Sequence, residues 1–162
     1  MALVLIVDDS PTDVHVMQKA LEQNGFRTAS AADGSEAIRK ARELHPDLIL
    51  MDIVMPGVNG FQATRQLAND PETRTIPVIM VTSKAQESDR VWGLRQGAVD
   101  YLVKPVPDDR LARAKELEDV VARGLDAAHD LGHERNGRVV ANRGEVGGED
   151  EPVFRSEGPQ LP

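Results

Sequence analysis

The chain reads as an α/β protein built on a doubly wound, five-stranded parallel sheet. Three observations predict it. Short apolar runs rich in β-branched residues alternate with stretches of helical period, and the connections between them are short. Four of the runs also end on a polar or charged residue: ALVLIV before Asp8-Asp9, DLILM before Asp52, PVIMV before Thr82-Ser83, and DYLV before Lys104-Pro105. Parallel strands share one carboxyl edge, and ligands of such folds bind there.

The elements follow in order. Residues 2–7 form a buried strand. Ser10 is a candidate N-cap with Pro11 at the first helical position, and Val14, Met17, Ala20 and Leu21 carry the helical period until Gly25. Residues 26–31 are more polar, as expected of an edge strand. Asp33-Gly34 reads as a turn, after which Ala37, Ile38, Ala41 and Leu44 form an apolar stripe ending before Pro46. Residues 48–51 are the central strand. A loop from Met55 to Asn59 precedes a helix carrying Phe61, Ala63, Thr64 and Leu67. Pro71 to Pro77 leads to a fourth strand at 78–81. A fourth helix over 86–96 carries Val91, Trp92 and Leu94 and ends at Gly97. Residues 99–103 are a fifth strand, and a last helix from Asp108 repeats Leu111, Ala114, Leu117, Val121 and Leu125. Five βα units with right-handed crossovers place helices on both faces of the sheet.

This pattern delimits a domain over 1–122. Residues 123–135 are a possible extension of the last helix beyond the sheet, weakened by Gly124 and Gly132. From 136 to 162 Gly, Pro, Glu and Arg dominate. Such a segment buries too little surface to offset its ordering entropy, so a disordered tail is expected.

Composition narrows the function. Across 162 residues the formal net charge is -8, apolar residues make up 40%, and there is no cysteine. Mean hydropathy is -0.37 and the pI is near 5.0. Nucleic-acid binding wants a basic face, so it is disfavoured. Thiolate metal sites, disulfides and cysteine nucleophiles are excluded. No apolar run reaches the roughly 20 residues of a membrane span, and no signal peptide is recognisable, which predicts a cytoplasmic protein without membrane insertion.

The strand-end residues carry the chemistry. Asp8, Asp9 and Asp52 offer only oxygen ligands, which suits a hard divalent cation such as Mg²⁺. Carboxylates this close repel one another unless a cation is present. A carboxylate is also a competent nucleophile toward phosphorus, and Asp52, at the end of the central strand, is the candidate phospho-acceptor. Lys104 and Mg²⁺ would offset charge on the transferring phosphoryl group, and Thr82 would donate a hydrogen bond to it. Taken singly, each residue has a plainer reading: a solvated cap, a helix N-cap signal, a surface lysine. The joint placement is what argues for a site. His129 and His133 stand four apart but lack a third ligand, and a solvated pair is the reading preferred.

The stretches LIVDDSP, ADG at 32–34, LILMDIVMPGVNG, PVIMVTS and GAVDYLVKP make the chain resemble the receiver domain of two-component response regulators over residues 1 to about 121. The resemblance implies a flavodoxin-like sheet of order 2-1-3-4-5. It assigns Asp8 and Asp9 to an acidic Mg²⁺ pocket completed by Asp52 and the backbone carbonyl of Val54. Asp52 is the phosphorylated aspartate, Lys104 the phosphate-binding lysine, and Thr82 and Tyr101 the switch pair. GFQATRQL at 60–67 and VWGLRQGAVDYLVKPV at 91–106 are similar to single-domain, PilH-type regulators of twitching motility, which act in chemosensory systems controlling type IV pili. Residues beyond 121 depart from the family pattern and are too short and polar for a DNA-binding output domain.

The implied partners are a histidine kinase of chemosensory type and a downstream protein. That protein would meet the face made by helix four, strand five and helix five, once phosphorylation draws Thr82 inward and Tyr101 follows. The domain itself would be a signalling switch rather than an enzyme, catalysing only its own phosphorylation and dephosphorylation. Val54 and Lys84 flank the expected path of an attacking water, and Val54 cannot orient one, so slow self-dephosphorylation is expected. Two other readings stand beside this one. A phosphate sink needs the same chemistry but no output face. A flavodoxin-like electron carrier would need a Thr/Ser/Gly-rich phosphate loop where this chain has Asp8-Asp9-Ser10-Pro11.

Overall fold

The structure, a computed structural model, describes residues 2–83, 86–104 and 119–127. Strands β1 (Leu3–Val7), β2 (Arg27–Ala31), β3 (Leu48–Met51), β4 (Val78–Thr82) and β5 (Asp100–Val103) alternate with helices α1 (Pro11–Gln23), α2 (Gly34–Leu44), α3 (Gly60–Asn69) and α4 (Glu87–Arg95). A further helical stretch, α5, occupies 119–127. All pairings are parallel and the order is β2-β1-β3-β4-β5, the doubly wound arrangement that the alternation of apolar runs predicts.

The strand period of two sorts side chains into two cores. Leu5, Val7, Ile49, Met51, Val78 and Met80 face one layer with Ala37, Ile38, Phe61 and Leu67 from α2 and α3, and Trp92 and Tyr101 pack against its edge. Val4, Ile6, Leu48, Leu50, Ile79, Val81 and Leu102 face the other, with Leu21 of α1 and Val120 and Val121 of α5. Central strands buried on both faces read as continuous apolar runs, which is why β1, β3 and β4 are so plain in the sequence. β2 alternates less cleanly because it lies at the edge.

Helix starts follow capping chemistry. Ser10 caps α1 with Pro11 at its first turn. Asn59 and Gln62 form a reciprocal capping box at α3, each satisfying an amide of the other's backbone.

Four local expectations change. Asp33 is not part of a turn: it is the N-cap of α2, its side chain accepting from Glu36 N–H at 2.8 Å, with Gly34 already helical. Leu44, expected in the α2 stripe, is exposed because His45 ends the helix in a left-handed conformation just beyond it. In α4 the buried residues are Asp89 and Gly93, four apart, so Val91 and Leu94 face outward, each 41% exposed. A Cβ at Gly93 would lie 3.2 Å from Met80 Cγ, so the missing side chain lets this helix settle on the sheet. Finally, α5 runs through residue 122 without a break and lies on the sheet rather than beyond it. A Cβ at Gly124 would meet Leu48 Cδ1 at 2.7 Å and Ile79 Cδ1 at 2.8 Å. The expected tail and residues 128–135, with His129 and His133, fall outside the described residues.

Candidate functional site

The backbone ladder continues one step past the strands. Asp8 N–H donates to Ala31 O at 3.1 Å, and Asp52 N–H to Val7 O at 2.9 Å. Asp8, Asp52 and Lys104 stand two residues beyond Ile6, Leu50 and Leu102, which all belong to the α1–α5 core. By the same period, the two carboxylates and the ammonium form the next row at the carboxyl edge on that face.

They converge. One carboxylate oxygen from each of Asp8, Asp9 and Asp52 lies within 4.8 Å of the others. Asp8 and Asp52 are buried and Asp9 is exposed. Asp8 Oδ1 accepts Ser10 N–H at 2.9 Å, and Asp52 Oδ1 accepts Ile53 N–H at 2.9 Å. Lys104 Nζ lies 2.7 Å from Asp8 Oδ2 and 3.6 Å from Asp52 Oδ2. The first contact is an ion pair by distance but lacks hydrogen-bond geometry, so Asp8 Oδ2 is buried without a hydrogen-bond partner. The loop after Asp52 is held by Gly60, whose N–H donates to Ile53 O at 2.9 Å. A Cβ there would fall 2.0 Å from Asp52 O, so only glycine allows α3 to start so close to the end of β3.

Charge at the site is unbalanced. Burial, then the Asp8 carboxylate, push Asp52 up to about 6 against the pull of Lys104 and the Ile53 amide. For Lys104, burial acts to lower the pKa, but contacts with Asp13 and Asp8 override it and hold the ammonium well above its ordinary range. Among the described residues Lys104 is the ammonium paired with Asp8 and Asp52 of this three-carboxylate cluster. All-oxygen donors and three carboxylates drawn together fit a hard divalent cation. The residues present suit Mg²⁺.

The other predicted residues separate. Val54 stands in the loop past Asp52 with its side chain 50% exposed. Thr82 ends β4, opposite Val103 of β5; its side chain and all of Lys84 lie outside what the structure describes. Tyr101 is half-buried against the α2–α3 core, so it and Lys104 belong to opposite faces of the sheet. Burial and the nearby Asp89 push its phenol up to about 12.

One residue at the site escaped the sequence reading. Asp13, in the first turn of α1, accepts a hydrogen bond from Lys104 Nζ at 2.8 Å. A search confined to strand ends misses it. Its signal is the spacing Ser10-x-x-Asp13, which places an acid in the first turn after an N-cap.

Comparison with known proteins agrees with this geometry. A family model described as the response regulator receiver domain matches residues 4–116. The chain is 56% identical to Protein PilH of Pseudomonas aeruginosa PAO1 over 113 residues, covering 70% of this chain and 93% of PilH. It is 40% identical to Response regulator PleD of Caulobacter vibrioides over 117 residues, 72% of this chain but only 26% of PleD. Among solved structures, a sensor histidine kinase receiver domain from P. aeruginosa PAO1, with a magnesium ion coordinated in its active-site cleft, superposes with a TM-score of 0.68 at 33% identity. That match covers 77% of this chain and 98% of the other. No helix among the described residues is long and apolar enough to cross a membrane.

Proposed function

Because this chain belongs to the response regulator receiver domain family, we propose that it accepts a phosphoryl group from a histidine kinase on Asp52 and signals through protein contacts in the control of twitching motility. The observation that carries the reading is the convergence of Asp8, Asp9 and Asp52 oxygens within 4.8 Å, with the Lys104 ammonium 3.6 Å from the acceptor carboxylate. In the transfer one Asp52 oxygen forms a bond to phosphorus as the phosphorus–nitrogen bond to the kinase histidine breaks, the nitrogen keeping the electron pair. Asp8 and Asp9, with Asp52 and the Val54 carbonyl, would hold Mg²⁺, which when bound offsets charge on the phosphoryl oxygens. Lys104 supplies the fixed positive charge. Thr82 and Tyr101 would be the hydroxyl and aromatic that report the change.

The assignment to type IV pilus control is supported by the likeness to PilH, which this chain covers nearly end to end. Val91 and Leu94 on α4 and Val103 on β5 are about 40% exposed and give the proposed output face apolar contact area. The test is labelling by acetyl phosphate or a chemosensory kinase in Mg²⁺. Asp52→Asn is expected to abolish it, and undiminished labelling would overturn the acceptor assignment.

A further inference from the structure

We propose that Asp13 is a positioning residue that holds the Lys104 ammonium in the unphosphorylated site, and that Lys104 exchanges Asp13 for a phosphoryl oxygen when Asp52 is loaded. This rests on the phospho-acceptor reading above and adds a step to it.

The distances define a resting state. Lys104 Nζ is 2.8 Å from Asp13 Oδ2, with hydrogen-bond geometry, and 2.7 Å from Asp8 Oδ2. Its separation from Asp52 Oδ2 is 3.6 Å, beyond a direct hydrogen bond. The ammonium is thus drawn aside from the acceptor by two other carboxylates. To meet a phosphoryl group on Asp52 the ammonium must turn toward it, which loosens its hold on the half-exposed Asp13.

Burial decides which partner yields. The Asp8 side chain is 0% exposed and that of Asp13 43%. Leaving Asp8 takes a cation from a fully buried carboxylate, which costs more than taking one from a carboxylate that water reaches. Leaving Asp13 returns a half-exposed carboxylate to water. Asp13 is also not among the carboxylates that cluster with Asp52, so its short contact with the site runs through Lys104.

Its backbone is fixed for this role. Ser10 Oγ accepts Asp13 N–H at 3.3 Å and Pro11 opens the helix, which sets where the Asp13 side chain departs. A plainer role exists, since an acid in a first turn interacts favourably with the helix dipole. That role concerns helix stability and predicts no gain in phosphoryl affinity when the charge is removed.

The experiment uses the full-length chain at saturating Mg²⁺, titrated with beryllofluoride as the phosphoryl analogue and followed by ¹⁹F NMR of the bound species. Wild type is compared with Asp13→Asn, Asp13→Ser, Asp13→Glu and Glu43→Gln. Losing a half-exposed competitor should tighten binding about two- to fivefold in Asp13→Asn, and Asp13→Ser should move in the same direction. Asp13→Glu keeps the carboxylate and should stay near wild type. Glu43→Gln removes an equal charge from the exposed Arg39–Glu43 pair on α2 and should change nothing, which separates the local exchange from net charge. Equal or weaker binding in both neutral Asp13 variants overturns the proposal, as does equal tightening in Glu43→Gln. If wild type binds no beryllofluoride and acetyl phosphate does not label it, the acceptor reading itself fails and takes this one with it.

Discussion

In the proposed role, Asp52 must be buried to hold a reactive acyl phosphate away from water and ionised to attack phosphorus. The two demands conflict, and its proton affinity records the conflict: a folded pKa of about 6 against an ordinary 3.8. Between those values the folded chain binds more proton than the unfolded one, so stability falls as pH rises from about 4 to about 6 and stays lower above. Asp52→Asn carries no such charge. In chelator at pH 7.5 it is expected to be more stable than wild type by about 2–3 kcal/mol, the gain shrinking toward pH 4 and on adding Mg²⁺. Urea melts at both pH values measure this. Val54 bears on a second expectation. Its half-exposed side chain offers no hydrogen bond to an attacking water, so Val54→Asn should hasten loss of the Asp52 phosphate by several-fold in a radiolabel decay assay; an unchanged half-life would count against that role.

Among the elements, two glycines show what each approach costs. At Gly60 an added Cβ meets backbone, Asp52 O at 2.0 Å. Gly60→Ala should therefore shift the end of β3, destabilise by about 3 kcal/mol and lower the labelling expected at Asp52. At Gly124 the Cβ's two tightest contacts are the methyl ends of Leu48 and Ile79, and alanine also gains about 1 kcal/mol of helix propensity. Gly124→Ala should stay within about 1 kcal/mol of wild type, and comparing the two variants in one denaturant series checks the contrast. The same physics explains what the sequence conceals. β1, β3 and β4 are legible because burial on both faces demands unbroken apolar runs. α4 is misleading because it packs through Gly93 and Asp89, residue types that an apolar-period search passes over, and turns Val91 and Leu94 outward. Asp13 stays hidden for another reason: it reaches the site from a helix turn, while the motif search followed the strand ends.

For the whole molecule, α5 closes the core that it shares with α1. Val120 and Val121 are almost fully buried, and Leu125 packs on the same layer. Cutting the chain at 122 would divide this helix between buried Val121 and buried Gly124. A chain ending at 122 is expected to lose about 1–2 kcal/mol relative to one ending at 127, read as a lower urea midpoint. The register that gathers the strand-end residues has a consequence for how the protein comes into being. Lys104 and Asp13 lie 91 positions apart, and synthesis delivers the aspartates long before the lysine. While β5 is still inside the ribosome, the acidic cluster lacks the Lys104 ammonium. The capacity to be switched therefore arrives with the last strand, and a nascent chain stays mute until its sheet is complete.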